Sequence, residues 1–147
     1  MEFIHADKND IHELYMLQLL AFESEAEMIG SRSVPALMET ENAFANDFKN
    51  WNTWKLVDKD QIIGAIRYKE NDSLIDVGRL MVHPEYRRKG LAQWMLSEID
   101  RIYPQTTKEL YTCTKSWINI RLYEHMGYKP YEEHSEPSGL SFVYMRK

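Results

Sequence analysis

The chain has 147 residues, of which 44% are hydrophobic and 28% charged, a balance that suits a globular domain with a real core and excludes a disordered chain. Its formal net charge of -5 argues against broad binding to nucleic acid, whose phosphates are held mainly by Lys and Arg. The one cysteine, Cys113, cannot close an internal disulfide, no apolar run approaches the length of a bilayer span, and Met1 to His5 lack the pattern of a secretory leader, so the expectation is a cytoplasmic protein with no membrane partner.

No repeat, linker or low-complexity tract interrupts the chain, which predicts one domain over residues 1–147. Phe3 to Ala6 reads as a short strand. Asp10 reads as an N-cap with Glu13 three residues on, and Leu14, Leu17 and Ala21 follow at helical spacing, which predicts a helix over Ile11–Phe22. Ser24 to Ser33 is mixed in character. Pro35 suits the first turn of a second helix reaching about Phe48.

Thr53–Val57 and Ile62–Tyr68 read as strands joined by the turn Asp58-Lys59-Asp60, with a further turn at Asn71-Asp72. Leu74–Val82 continues as a long strand, and Gly78 within it signals a bulge or a close approach. After Gly90, Leu91, Met95, Ile99 and Ile102 form an apolar helical stripe ending near Pro104. Leu110–Thr114 reads as a strand, and Trp117–Met126 as a helix stopped at Gly127. Tyr128–His134 and Leu140–Arg146 read as a hairpin around Pro137-Ser138-Gly139, giving a mixed α/β domain.

The segment Arg87-Arg88-Lys89-Gly90-Leu91-Ala92 sits between a strand and a helix. A helix N-terminus there offers unpaired amides and a partial positive charge, and Gly90 and Ala92 leave room for a bulky anion, so the segment reads as a pyrophosphate cradle. It has neither the glycine pattern of a Walker loop nor that of a dinucleotide fingerprint. Taken without its neighbours, such a basic triplet is usually a solvated surface feature.

These residues resemble the GNAT superfamily of acetyltransferases. Its signature of Arg or Gln, two residues, Gly, one residue, and Gly or Ala is met by Arg87, Gly90 and Ala92. Leu80-Met81-Val82 before them is similar to the family's central strand. A second match lies in Ser116, Asn119, Leu122, Tyr123, Gly127 and Tyr128. The resemblance implies a mostly antiparallel sheet with a splayed central parallel pair, flanked by helices. It also implies acetyl-coenzyme A as co-substrate, with its pantetheine arm lying between the splayed strands, and no metal.

The resemblance further implies cofactor contacts from Leu80, Met81, Val82, Arg87, Arg88, Lys89, Gly90, Leu91, Ala92 and Tyr123, and from Ser116 or Asn119, whose spacing leaves open which touches the pantetheine. Tyr123 would protonate the departing thiolate, where spacing alone reads it as a core aromatic. Asp76, four residues before Leu80 and expected on the same strand face, is either the general base or a strand-end carboxylate held by a turn or by Arg67 or Arg79. The five histidines have no zinc-ligand spacing, and Cys113 reads as a buried strand residue.

The expected activity is direct transfer of an acetyl group to a primary amine in a ternary complex. The competing expectations are a degenerate acyl-CoA-binding or regulatory module, and a phosphate-binding domain unrelated to acetyl transfer. Glu23, Glu25, Glu27, Glu39, Glu41 and Asp47 stand against a lone Arg32, which reads as an acidic acceptor wall favouring a cationic amine or as a solvated helix face. The assembly is expected to be a monomer or a homodimer.

Overall fold

A computed structural model describes residues 1–147. Strand β1 (Glu2–His5) leads through a single 3₁₀ turn at Lys8–Asp10 into helix α1 (Ile11–Ile29), followed by α2 (Pro35–Met38) and α3 (Glu41–Phe48). Then come β2 (Asn52–Asp58), β3 (Gln61–Asn71) and β4 (Leu74–Val82), a 3₁₀ turn at Pro84–Tyr86, and α4 (Leu91–Ile102). The chain ends with β5 (Thr107–Cys113), α5 (Trp117–His125), β6 (Lys129–Ser135) and β7 (Ser141–Arg146). The strands form one sheet in the order β1-β2-β3-β4-β5-β7-β6, antiparallel throughout except for β4 beside β5. This is the mixed sheet with a central parallel pair that the sequence implied.

Both faces of the sheet are covered. Met95, Leu96 and Ile99 of α4 pack with Ile66, Ile75, Val77, Leu110 and Met145 on one side. Leu14, Leu17 and Ala21 of α1 and Phe44 of α3 pack with Ile62, Ala65 and Met81 on the other. Strand β3 is buried on both faces from Ile62 to Tyr68, which explains its nearly unbroken apolar sequence. No helix is long and apolar enough to cross a membrane.

Three local expectations change. Helix α1 runs two turns beyond Phe22, because Glu23-Ser24-Glu25-Ala26-Glu27-Met28 contains good helix formers, and it stops only at Gly30, whose φ of 74° makes a left-handed cap. Asp10 does not cap α1 through its side chain. Instead Asp7 and Asp10 form a capping box around the preceding 3₁₀ turn, Asp10 pairs with Lys55 Nζ at 2.9 Å, and Glu13 accepts from the Ile62 amide at 2.8 Å. The helix expected from Pro35 to Phe48 is two helices, broken at Glu39-Thr40, where the Thr40 hydroxyl accepts from the Ala43 amide.

Gly64 lies where β3 crosses beneath α4. A Cβ there would approach the Met81 carbonyl oxygen and Met95 Cε at 3.2 Å each. The methionine tip can yield but the ladder carbonyl cannot, so Gly64→Ala should destabilise the fold by about 1–3 kcal/mol. Urea unfolding should show this as a lower midpoint at unchanged slope.

Candidate functional site

The site begins with an irregularity in β4. Opposite β3, Ala65 pairs with Met81 and Arg67 with Gly78, so Arg79 and Leu80 together face Ile66. This is a β-bulge, and Arg79 adopts a left-handed φ of 43°, unusual for a residue with a side chain. The bulge lies where Gly78 predicted it, yet the glycine does not carry the left-handed turn. A Cβ on Gly78 would meet Trp51 at 3.5 Å and Arg67 Nε at 3.6 Å, ordinary contacts.

Two consequences follow from the inserted residue. Strand β4 pairs with β5 only at Leu74, Ile75 and Asp76, against Thr107, Lys108 and Glu109, and beyond them the two parallel strands part. The side-chain alternation also shifts, so the four-residue spacing of Asp76 and Leu80 no longer puts them on one face. Leu80 packs against the cluster beneath α4, whereas Met81 joins the cluster beneath α1.

Two cavities open on either side of this gap. One, of about 290 Å³, lies under α2 and is lined by Trp51, Arg67, Asp76, Arg79, Tyr111 and Tyr144 among others. The second, of about 480 Å³, runs between the ends of α1, α4 and α5. Phe22, Glu25, Leu80, Asn119 and Tyr123 line both.

Leu80, Met81, Val82, Arg87, Arg88, Gly90, Leu91 and Ala92 all line the second cavity, and Lys89 does not; its ammonium lies 5.3 Å above the Tyr86 ring. Arg88 and Gly90 both have positive φ, 63° and 74°, and this curls the loop into the N-terminus of α4. None of the amides from Arg88 to Gln93 donates to another group of the protein. Such a row of free donors at a helix start is an anion-binding arrangement. Gly90 meets nothing within 4 Å of an added Cβ, so its dihedral angle is what calls for glycine.

The Arg87 side chain does not join that arrangement. Its guanidinium donates to the Ala21 carbonyl at 2.8 Å and to the Ser24 hydroxyl, tying the loop to α1.

Where the cavities meet, Tyr123 is 8% exposed and its hydroxyl makes no hydrogen bond within the chain. Burial, followed by the neighbouring Glu25 charge, pushes its phenol well above the usual tyrosine range, so it stays protonated at neutral pH. Glu25 of α1 is raised above the carboxylate norm by burial, with the Ser116 hydroxyl and the Arg79 charge opposing part of that shift. The sequence reading missed Glu25 as an individual residue.

Ser116 and Asn119 are separated by the fold. Ser116 is fully buried and lines neither cavity, while Asn119 lines both and its amide lies 3.4 Å from Thr112 Oγ1. Asp76 lines only the first cavity, and its carboxylate accepts from Asn71 Nδ2 at 3.1 Å.

The acidic run before β2 does not form a continuous wall. Glu23 pairs with Arg32, Glu41 with His12, and Glu27 points to solvent. Glu39 and Asp47 turn inward beside Arg79 and Arg67, at 3.5 and 3.9 Å, and only Glu25 of the six lines the cavity. Trp51 lies half-buried under the Arg67 guanidinium at 4.2 Å and the Lys69 ammonium at 4.4 Å. No group of three or more His, Cys, Asp or Glu gathers to hold a metal ion.

Against known proteins, residues 18–147 match the acetyltransferase (GNAT) domain family. The UPF0157 protein YqkA of Bacillus subtilis (strain 168) is 28% identical over 142 residues, covering 95% of this chain but only 41% of that protein. The fold is similar to that of the ribosomal-protein-S18-alanine N-acetyltransferase from Escherichia coli, with a TM-score of 0.78 at 16% identity over 99% of this chain and 91% of that one. It is equally similar to the PaiA N-acetyltransferase from Thermoplasma acidophilum in complex with coenzyme A, with a TM-score of 0.79 at 16% identity over 99% of this chain and 97% of that one. With the family matched over most of its length and its sheet split at a bulge beside an anion-binding helix start, this chain belongs to the GNAT acetyltransferase family.

Proposed function

We propose that the protein transfers the acetyl group of acetyl-CoA to a primary amine by direct attack within a ternary complex. The observation that carries this reading is the meeting of two cavities at the split between β4 and β5, with Glu25, Asn119 and Tyr123 at the junction. The second cavity, ending on the free amides from Arg88 to Gln93, suits the cofactor's phosphates and pantetheine. The first suits the acceptor.

When bound, acetyl-CoA supplies the thioester carbonyl. Asn119, open to both cavities, is the better pantetheine contact than the enclosed Ser116. Glu25 takes the proton that the amine must lose, a role its position supports over that of Asp76. Tyr123, protonated at working pH, gives a proton to the leaving thiolate. The amine nitrogen then carries the acetyl group, and the two protein groups are restored by exchange with solvent.

Gly90→Asp and Gly90→Asn test the cradle together, because both side chains tolerate the left-handed backbone and differ mainly in charge. Asp should weaken acetyl-CoA binding at least about ten-fold relative to Asn by calorimetry, the scale of one lost charge-assisted contact. Equal affinities would mean that no phosphate sits there.

Tyr123→Phe keeps the buried ring and removes only the proton donor. Turnover should fall by roughly 10² to 10⁴-fold while acetyl-CoA affinity holds. Near-normal kcat would make Tyr123 structural, and binding without any turnover in the unaltered protein would favour a regulatory acyl-CoA-binding module.

Glu25→Gln should lower kcat by at least about 10²-fold and remove the acid limb of the rate profile. Its effect on stability has a definite sign. With the folded pKa raised above the ordinary 4.5, stability is full below that value and is lost as pH rises through the folded pKa. The Gln variant should therefore melt higher than the unaltered protein at neutral pH and no higher near pH ~3. An unchanged Tm difference across that range would show that Glu25 ionises as freely as a surface carboxylate.

A further inference from the structure

The wall of the first cavity carries more buried positive charge than the fold itself uses. Arg67, 9% exposed, lies among Ile66, Tyr68 and Trp51. Arg79 projects from the bulge itself, its side chain about as enclosed as that of Arg67. Each has one acidic neighbour at ion-pair range, Asp47 at 3.9 Å and Glu39 at 3.5 Å, and neither guanidinium makes a hydrogen bond.

The acidic neighbours are themselves engaged. Asp47 accepts from Trp51 Nε1 at 2.9 Å and Asn50 Nδ2 at 3.0 Å, and the Glu39 oxygen nearest Arg79 accepts from Gln18 Nε2 at 2.9 Å. The other acids of the lining include Asp76, bonded to Asn71, and Glu109, bonded to Arg146 and Tyr131. Burial, and then the Arg79 charge beside it, bring the Arg67 guanidinium down to about 10, so it remains charged at neutral pH.

Two adjacent, desolvated guanidiniums with unfilled donors are an unfavourable arrangement unless an anion lies between them. A planar carboxylate matches the guanidinium fork, accepting from both arginines at once. The cavity that they line, of about 290 Å³, is the size of an amino acid rather than a polymer. At its inner end stands Glu25, a single acid suited to an ammonium group.

The geometry points to an acceptor that carries a carboxylate as well as the reacting amine, an amino-acid-like molecule whose carboxylate is held by Arg67 and Arg79 while its amine faces Glu25 and Tyr123. This rests on the acetyl-transfer reading for the amine, but carboxylate recognition can be measured without turnover.

The test uses the intact chain and a panel of N-acetylated amino acids, each titrated by calorimetry beside its own carboxamide. At least one acid should bind about ten-fold or more tighter than its amide. Arg79→Gln and Arg67→Lys, checked for folding by circular dichroism, should erase that preference. In parallel, thiol release should have a lower KM for a free amino acid than for the matching decarboxylated amine.

If no acid binds better than its amide, or if the preference survives in folded Arg79→Gln protein, the inference is wrong. The comparison of acid with amide in the unaltered protein decides the matter even if an arginine variant fails to fold. An acetyl-CoA titration of the same preparation reports separately on the acetyl-transfer reading, since its failure would leave any carboxylate preference standing.

Discussion

The site depends on one extra residue. Without the insertion at Arg79, β4 would pair with β5 along its whole length and the sheet would close over the space where the cavities meet. The bulge therefore does two jobs with one backbone irregularity. It parts the two central strands, and it turns an arginine into the resulting cavity from a left-handed conformation that costs on the order of 1 kcal/mol or more. That strain is sustained because β3, buried on both faces, holds the other edge of β4 in register on either side of the bulge.

Placing Glu25, Arg67 and Arg79 in one enclosed region works against folding. Each ionised group loses hydration, and the ion pairs at 3.5 and 3.9 Å restore only part of it. The balance lies in the two apolar clusters, one on each face of the sheet, some of whose members, Met81 and Tyr123 among them, also line the cavities. Along β3 the two roles fall to alternate side chains. In β3, Ile66 and Tyr68 face the α4 cluster while Arg67 between them faces the cavity.

The sequence made the loop before α4 legible and the first cavity largely opaque, for a physical reason. Arg87, Gly90 and Ala92 mark a local device, a loop and helix start that works through backbone amides, and its signal lies within six consecutive residues. Asn119 and Tyr123 were singled out by the family resemblance, whereas spacing alone reads Tyr123 as a core aromatic, and the structure has both lining the two cavities. The first cavity instead draws on α1, α2, α5, β3, β4, β5 and β7, elements distant in the chain. Glu25 was hidden because Glu23, Glu25 and Glu27 look alike in the sequence, although the helix pairs Glu23 with Arg32, exposes Glu27 and turns Glu25 to the cavities. Arg67 did carry a signal, since a lone charge inside Ile62-Ile63-Gly64-Ala65-Ile66-Arg67-Tyr68 must be buried with its strand. The acidic run misled because net charge along the chain does not reveal which carboxylates neutralise arginines from other elements.

Helix α1 joins the two ends of the site. Its last two turns supply Phe22 and Glu25 to both cavities, and its Ala21 carbonyl and Ser24 hydroxyl receive the guanidinium of Arg87 from the loop before α4. The family signature places an arginine at this position, and here its side chain acts as a strut while the backbone amides of the next residues stay free of protein partners. The two hydrogen bonds tie the loop to α1 at Ala21, one turn before Glu25, and at Ser24, its immediate neighbour. The Glu25 carboxyl and the free amides that follow Arg87 are thus linked through one helix and one side chain, although 62 positions separate Glu25 from Arg87 in the chain.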